Sequence, residues 1–205
     1  IQTQFRTQVD RLERLMLDER RGTKFVPLTD QGIGARNHQV KVLLRNAENA
    51  FADGAYETAE KIYIEVISLD EHNAVAYAGL GNVYFAEEHF TEARETYRYA
   101  LRLDKNNETA WLHLADIAER DGHLEKAVEY YQKALLLNDS ISSRFVKMYE
   151  LLIQLNQPDT ALAAIEQALA LEPQNPKYLD NFITTSIIVG NKNQAEDGYQ
   201  RLRMV

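Results

Sequence analysis

The chain has 205 residues, 45% of them apolar and 26% charged, and 23 Lys plus Arg against 31 Asp plus Glu leave it at net −8. This is the composition of a folded globular chain. With 9 Gly and 4 Pro it is neither collagen-like nor low-complexity, and with no Cys it forms no disulfide framework, thiolate nucleophile or sulfur-bound zinc site. No apolar run approaches the ~20 residues of a membrane span and no cleavable signal opens the sequence, so no membrane span is expected and the expected location is cytoplasmic. Ile1 stands first and Val205 follows Tyr199-Gln200-Arg201-Leu202-Arg203 without a helix stop signal, so both ends read as cuts through a longer protein.

Charge divides the chain: residues 1–39 are net +2 and residues 40–205 net −10. In the basic leader, Phe5, Val9, Leu12 and Met16 recur at helical spacing, with Arg6, Asp10, Glu13, Arg14 and Asp18 on the other faces. Residues 2–21 therefore read as an amphipathic helix that Gly22 ends, making 1–21 an N-terminal element. Such a helix can flank the start of the acidic region, or form a homo-oligomer or an interdomain contact. Residues 22–39 read as a linker, since Pro27, Gly32 and Gly34 oppose helix. Its apolar tetrapeptide Phe25-Val26-Pro27-Leu28 is expected to dock on apolar surface.

From residue 40 the chain is periodic. Ala59, Ala93, Ala127, Ala161 and Ala195 stand 34 residues apart without an insertion. Tyr63, Tyr97, Tyr131, Ile165 and Tyr199 follow them by four, then Val66, Ala100, Ala134, Ala168 and Leu202 by three more. Upstream run a bulky column, Leu43, Tyr77, Trp111, Phe145 and Leu179, and a small one, Ala47, Gly81 and Ala115. Each unit thus carries two apolar stripes of helical period, divided at Asp53-Gly54, Glu87-Glu88, Asp121-Gly122, Asn156-Gln157-Pro158 and Gly190-Asn191. Four full units, 40–73, 74–107, 108–141 and 142–175, precede a partial one over 176–205. Asn175 before Pro176 reads as an N-cap followed by proline at the first helical position, and the Ser142-Ser143 hydroxyls as caps for the helix near Arg144.

These columns resemble the tetratricopeptide repeat, whose pattern is matched by Tyr77-x2-Leu80-Gly81-x2-Tyr84, Ala93-x3-Tyr97 and Ala100, and again by Trp111-x2-Leu114-Ala115, Ala127-x3-Tyr131 and Ala134. The fourth unit departs at Tyr149, where a small residue is usual. The resemblance implies an all-α fold: a right-handed α-solenoid of stacked helix-turn-helix hairpins, with the leader as a flanking helix.

Catalytic chemistry is not expected. Gly32-Ile33-Gly34 is half of a dinucleotide fingerprint, but no strand precedes it and Asn37 stands at the third glycine position. His38, His72, His89, His113 and His123 never take spacings that place two imidazoles on one helical face, and the pairs His113 with Asp116 and Glu119 with His123 read as solvated surface pairs. Neither metal nor other cofactor is expected. A repeat region at net −10 with no basic aromatic patch would repel phosphates, which excludes nucleic acid.

The resemblance implies a protein or peptide partner held by outward residues of the first helix of each hairpin. Carried over by register, these are Leu44, Glu48 and Phe51, then Ala78, Asn82 and Phe85, then Leu112, Asp116, Glu119 and Arg120, then Val146, Glu150 and Ile153. They suggest an apolar floor rimmed by Glu48, Asp116, Glu119 and Glu150, suited to an amphipathic, net-basic segment; the rings at Phe51 and Phe85 can equally fill space between hairpins. One subfamily grips a C-terminal carboxylate with Lys, Asn and Arg, but the matching positions here are Leu44, Glu48, Gly79, Thr109 and His113, which contradicts that ligand class. The expected function is a non-catalytic adaptor or scaffold, the alternative a self-associating structural module presenting other domains.

Overall fold

The computed structural model describes residues 30–205, and their side chains from Gly34 onward. The leader helix expected over 2–21 and the Phe25–Leu28 segment lie outside the described residues. Among the described residues ten helices run in order: α1 (Asp30–Ala52), α2 (Tyr56–Leu69), α3 (Ala74–Ala86), α4 (Phe90–Leu103), α5 (Glu108–Arg120), α6 (Leu124–Leu137), α7 (Ser142–Gln154), α8 (Pro158–Leu171), α9 (Pro176–Ile188) and α10 (Lys192–Leu202). There is no strand among the described residues, and the fold is an all-α array of helical hairpins, as the repeats predict.

The residues form two compact units, one through Lys105 and one from Asn106. In the first, the hairpins α1/α2 and α3/α4 pack through α2 on α3. In the second, α5/α6, α7/α8 and α9/α10 pack through α6 on α7 and α8 on α9.

The turn inside every hairpin has one cause. Gly54, Glu88, Gly122, Asn156 and Gly190, 34 residues apart, all have φ between 54° and 79°. A left-handed residue after a helix lets its own N–H and that of the following residue bond back to orphaned carbonyls, which stops the helix and reverses the chain. Around Gly122 those bonds are Gly122 N–H to the Glu119 carbonyl (2.9 Å) and His123 N–H to that of Ala118 (2.8 Å). Around Glu88 the same pattern runs to Phe85 (3.1 Å) and Tyr84 (2.8 Å). Between hairpins, the Asn73, Asn107 and Asn175 side chains cap α3, α5 and α9 by accepting backbone N–H bonds.

Within a hairpin the small columns set the helix separation. Ala59, Ala93, Ala127 and Ala161 are fully buried, and a Cβ on Gly81 would come 2.7 Å from the Tyr97 ring, so α3 and α4 meet closer than a methyl allows. Tyr149 is buried, and its hydroxyl lies 3.1 Å from Thr185 Oγ1 on α9. Because the Thr185 proton goes to the Asn181 carbonyl, Tyr149 is the donor.

Two sequence readings change. Residues 30–39, read as linker, are the first turns of α1, although residues 34–39 are all exposed and Val40 is the first buried side chain. Helix nucleated on the packed segment propagates outward, and a helical glycine costs ~1 kcal/mol without forbidding it. Ser142 is not a cap: α7 starts at that residue, Ile141 holds the cap position without a side-chain bond, and the Ser142 hydroxyl, buried, donates to the Glu172 carboxylate. That bond and one from Asn175 hold the exposed Glu172 carboxyl below its usual range.

Candidate protein-binding surface

In the first unit the candidate surface lies on α1 and α3. Leu44, Phe51, Asn82 and Phe85 are half-buried, Glu48 is exposed, and Ala78 is buried at 6% exposure, so Ala78 offers little to a ligand. Both phenylalanines brace the turn of their own hairpin: Phe51 packs on Tyr56 and Phe85 edge-on to Phe90, each with ring centroids 5.5 Å apart. These rings fill space within a hairpin while leaving part of each face open.

Glu48, Asn82, Asp116 and Glu150 form a polar column at the 34-residue interval, and the second helix of a hairpin reaches it. Tyr97 on α4 donates to Asn82 Oδ1 at 2.8 Å, and in the second unit Tyr131 on α6 donates to Asp116 Oδ1 at 2.6 Å. Tyr63 stands at the same offset from Glu48; burial, and then the charge of Glu48, push its hydroxyl up to about 12. Burial also raises Tyr131, with the bond to Asp116 adding to it. At the fourth hairpin Ile165 takes the tyrosine's place, and Glu150 instead faces Lys177 of α9, 4.0 Å away.

In the second unit the candidates lie on α5 and α7. Leu112, Asp116, Glu119 and Glu150 are half-buried, Arg120 and Ile153 exposed, and Val146 is buried at 7% exposure, below the surface. Burial alone would raise the Asp116 carboxyl. Hydrogen bonds from His113 and Tyr131, with the charges of His113 and Lys147, more than reverse this and leave it below the usual carboxylate range. His113 Nδ1 lies 3.6 Å from Asp116 Oδ2, so the expected solvated pair is part of a half-buried network. Lys147 pairs with Glu119 at 3.3 Å across adjacent first helices. The acidic rim expected in this unit is thus largely compensated by the chain's own cations.

Spacing alone signalled the tyrosine contacts, because the columns 63/97/131 and 48/82/116 keep an offset of 15 residues; Lys147 and Lys177 carried no such signal. The missing carboxylate clamp also has a steric reason at Gly79. A Cβ there would stand 2.2 Å from the Tyr63 ring, which excludes an asparagine unless the ring moves. Among the described residues no three His, Asp or Glu side chains gather as a metal would require, and no helix is long and apolar enough to cross a membrane.

Models described as tetratricopeptide repeat match residues 50–98, 78–141 and 150–175. No curated protein matches the chain. Among solved structures, YrrB, described as a tetratricopeptide protein with an unusual peptide-binding site, is 23% identical with a TM-score of 0.65 over 78% of this chain and 82% of its own. A MamA protein is 17% identical with a TM-score of 0.66 over 81% and 91%. PilF of Pseudomonas aeruginosa is 20% identical with a TM-score of 0.63 over 83% and 78%. At these identities the likeness concerns the fold.

Proposed function

Since the chain belongs to the tetratricopeptide repeat family, we propose that it is a non-catalytic protein-interaction module, an adaptor or scaffold that holds a partner's peptide or helix on the first helices of its hairpins. The observation that carries the reading is the braced polar column. Tyr97 fixes Asn82 and Tyr131 fixes Asp116, each one turn from half-buried or exposed surface residues, so these groups are ordered before a ligand arrives. Leu44, Phe51 and Phe85 supply apolar floor in the first unit, and Leu112 and Ile153 in the second.

Lys or Arg beside apolar anchors is the ligand chemistry that fits. Glu48 is exposed, and the pairs Glu119–Lys147 and Glu150–Lys177 involve half-exposed or exposed lysines. Exposed pairs contribute only ~0–1 kcal/mol, so a ligand cation can replace Lys147 or Lys177 at little cost.

Selection from a random peptide display library against the chain tests this. Enriched peptides should be amphipathic and net basic. Glu119→Lys should mainly slow their association, and Phe85→Ala should speed their dissociation. Enrichment of acidic peptides, or binding that both substitutions leave unchanged, refutes the reading.

A further inference from the structure

The first-helix strip of the second unit carries its own cation. Lys147 of α7 lies across Glu119 of α5, with its Nζ 3.3 Å and 3.5 Å from the two carboxylate oxygens. The lysine side chain is 48% exposed and the glutamate 29%, so the ammonium stands where a ligand's basic group would have to go. Its charge also reaches Asp116, one turn before Glu119. Burial there is outweighed by the hydrogen bonds of His113 and Tyr131, and the charges of His113 and Lys147 act in the same direction. One ammonium thus serves two of the strip acids Asp116, Glu119 and Glu150, while Glu150 faces Lys177 more loosely, at 4.0 Å.

The repeat shows what this lysine replaces. Residues 119 and 147 are 28 apart, and the same offset relates Phe51 to Gly79 in the first unit and Ile153 to Asn181 in the second. Gly79 has no side chain to lay over Phe51, which is only half-buried. Asn181 brings no charge toward Ile153, which is 37% exposed. Of these three pairs, Glu119 with Lys147 alone joins a carboxylate to a cation. A ligand Lys or Arg arriving at Glu119 therefore meets an occupied carboxylate, and what it gains there is offset by the ion pair it breaks.

We propose that Lys147 is an internal competitor for the ligand's basic group, and so the residue that sets how strongly the second unit selects Lys or Arg. The inference rests on the first-helix strip being the binding surface. With Lys147 in place a basic ligand must displace its ammonium from Glu119; without that charge Glu119 is open to the ligand, and Asp116 adds to the attraction.

The test pans one random peptide display library against the parent chain and against Lys147→Gln, then measures the enriched basic peptides on both by surface plasmon resonance. Lys147→Gln should bind them about two- to fivefold more tightly, and its pool should hold more Lys and Arg. The gain should vanish when Glu119→Gln is added, and Lys147→Arg should behave as the parent. Lys133→Gln removes the same charge from an exposed site on α6 and should leave affinity unchanged. Circular dichroism verifies that the variants fold. Peptides that Phe85→Ala releases faster, yet that bind parent and Lys147→Gln equally, overturn the competitor and leave the strip as the binding surface. A gain that Lys133→Gln reproduces, or that survives Glu119→Gln, overturns the competitor as well. Peptides indifferent to Phe85→Ala, or no enrichment on either chain, overturn both the competitor and the strip.

Discussion

Glu88 occupies a backbone conformation that three of the four equivalent turns give to glycine, and replacing it should stabilise the protein. Its φ is 61°, against 75°, 76° and 79° at Gly54, Gly122 and Gly190. An L-residue in the left-handed region costs ~1–2 kcal/mol, because Cβ crowds the following carbonyl. Glycine removes that cost but returns ~0.4–1 kcal/mol to the flexibility of the unfolded chain, so Glu88→Gly should gain ~0.5–1 kcal/mol. The reverse experiment is clean: nothing lies within 4 Å of a Cβ built on Gly122, so Gly122→Ala costs only conformation, ~0.5–1.5 kcal/mol, with no steric contact to confuse it. With a urea m-value of ~2 kcal/mol/M, the expected midpoint shifts are about +0.25 to +0.5 M and −0.25 to −0.75 M. The double variant Glu88→Gly with Gly122→Glu should lie near the parent. A Glu88→Gly chain that melts at lower urea than the parent refutes the left-handed turn at 88 as the source of strain.

Two further perturbations probe packing and polar support. Ala127→Phe places a ring where the alanine is fully buried between α5 and α6, and should cost ~1–3 kcal/mol in chemical denaturation; an unchanged midpoint would put the repeat register in error. Tyr131→Phe deletes one of the two donors, after His113, that hold Asp116 below the usual carboxylate range, and should cost ~1–2 kcal/mol at neutral pH. Since the folded carboxyl has the lower pKa, this contribution is present above about pH 4 and fades as acid protonates Asp116, so parent and variant stabilities should converge in acid. The tyrosines set the opposite limb. Tyr63 is pushed up to about 12, and Tyr77, Tyr84 and Tyr131 are raised also, so their contribution is complete below pH ~10 and lost as pH rises toward 12. Phenolate absorbance at 295 nm should rise together with loss of helical circular dichroism, and ionisation of all tyrosines before unfolding would refute that coupling.

The 34-residue alanine and tyrosine columns determined the hairpins, their turns and the all-α class, because helix periodicity and turn chemistry are local and each unit repeats them in one register. Asn175 was legible as a cap for the same reason. Tertiary structure decided what the surface residues do. Asp116 and Asn82 were legible as outward positions, but only packing of the second helix on the first brings the Tyr131 and Tyr97 hydroxyls to them. Ala78 and Val146 share register with the half-buried Leu44 and Leu112 yet sink below the surface, since burial depends on neighbouring helices distant in sequence. Ser142 left its expected cap because Glu172, thirty residues later, offers its hydroxyl a charged acceptor. Residues 30–39 became helix although Gly32 and Gly34 argued against it, because a helix already stabilised by packing extends at small cost per residue. Charge balance along the rim was likewise settled between helices: Glu119 and Glu150 read as free acids in sequence and meet Lys147 and Lys177 only once adjacent first helices lie side by side.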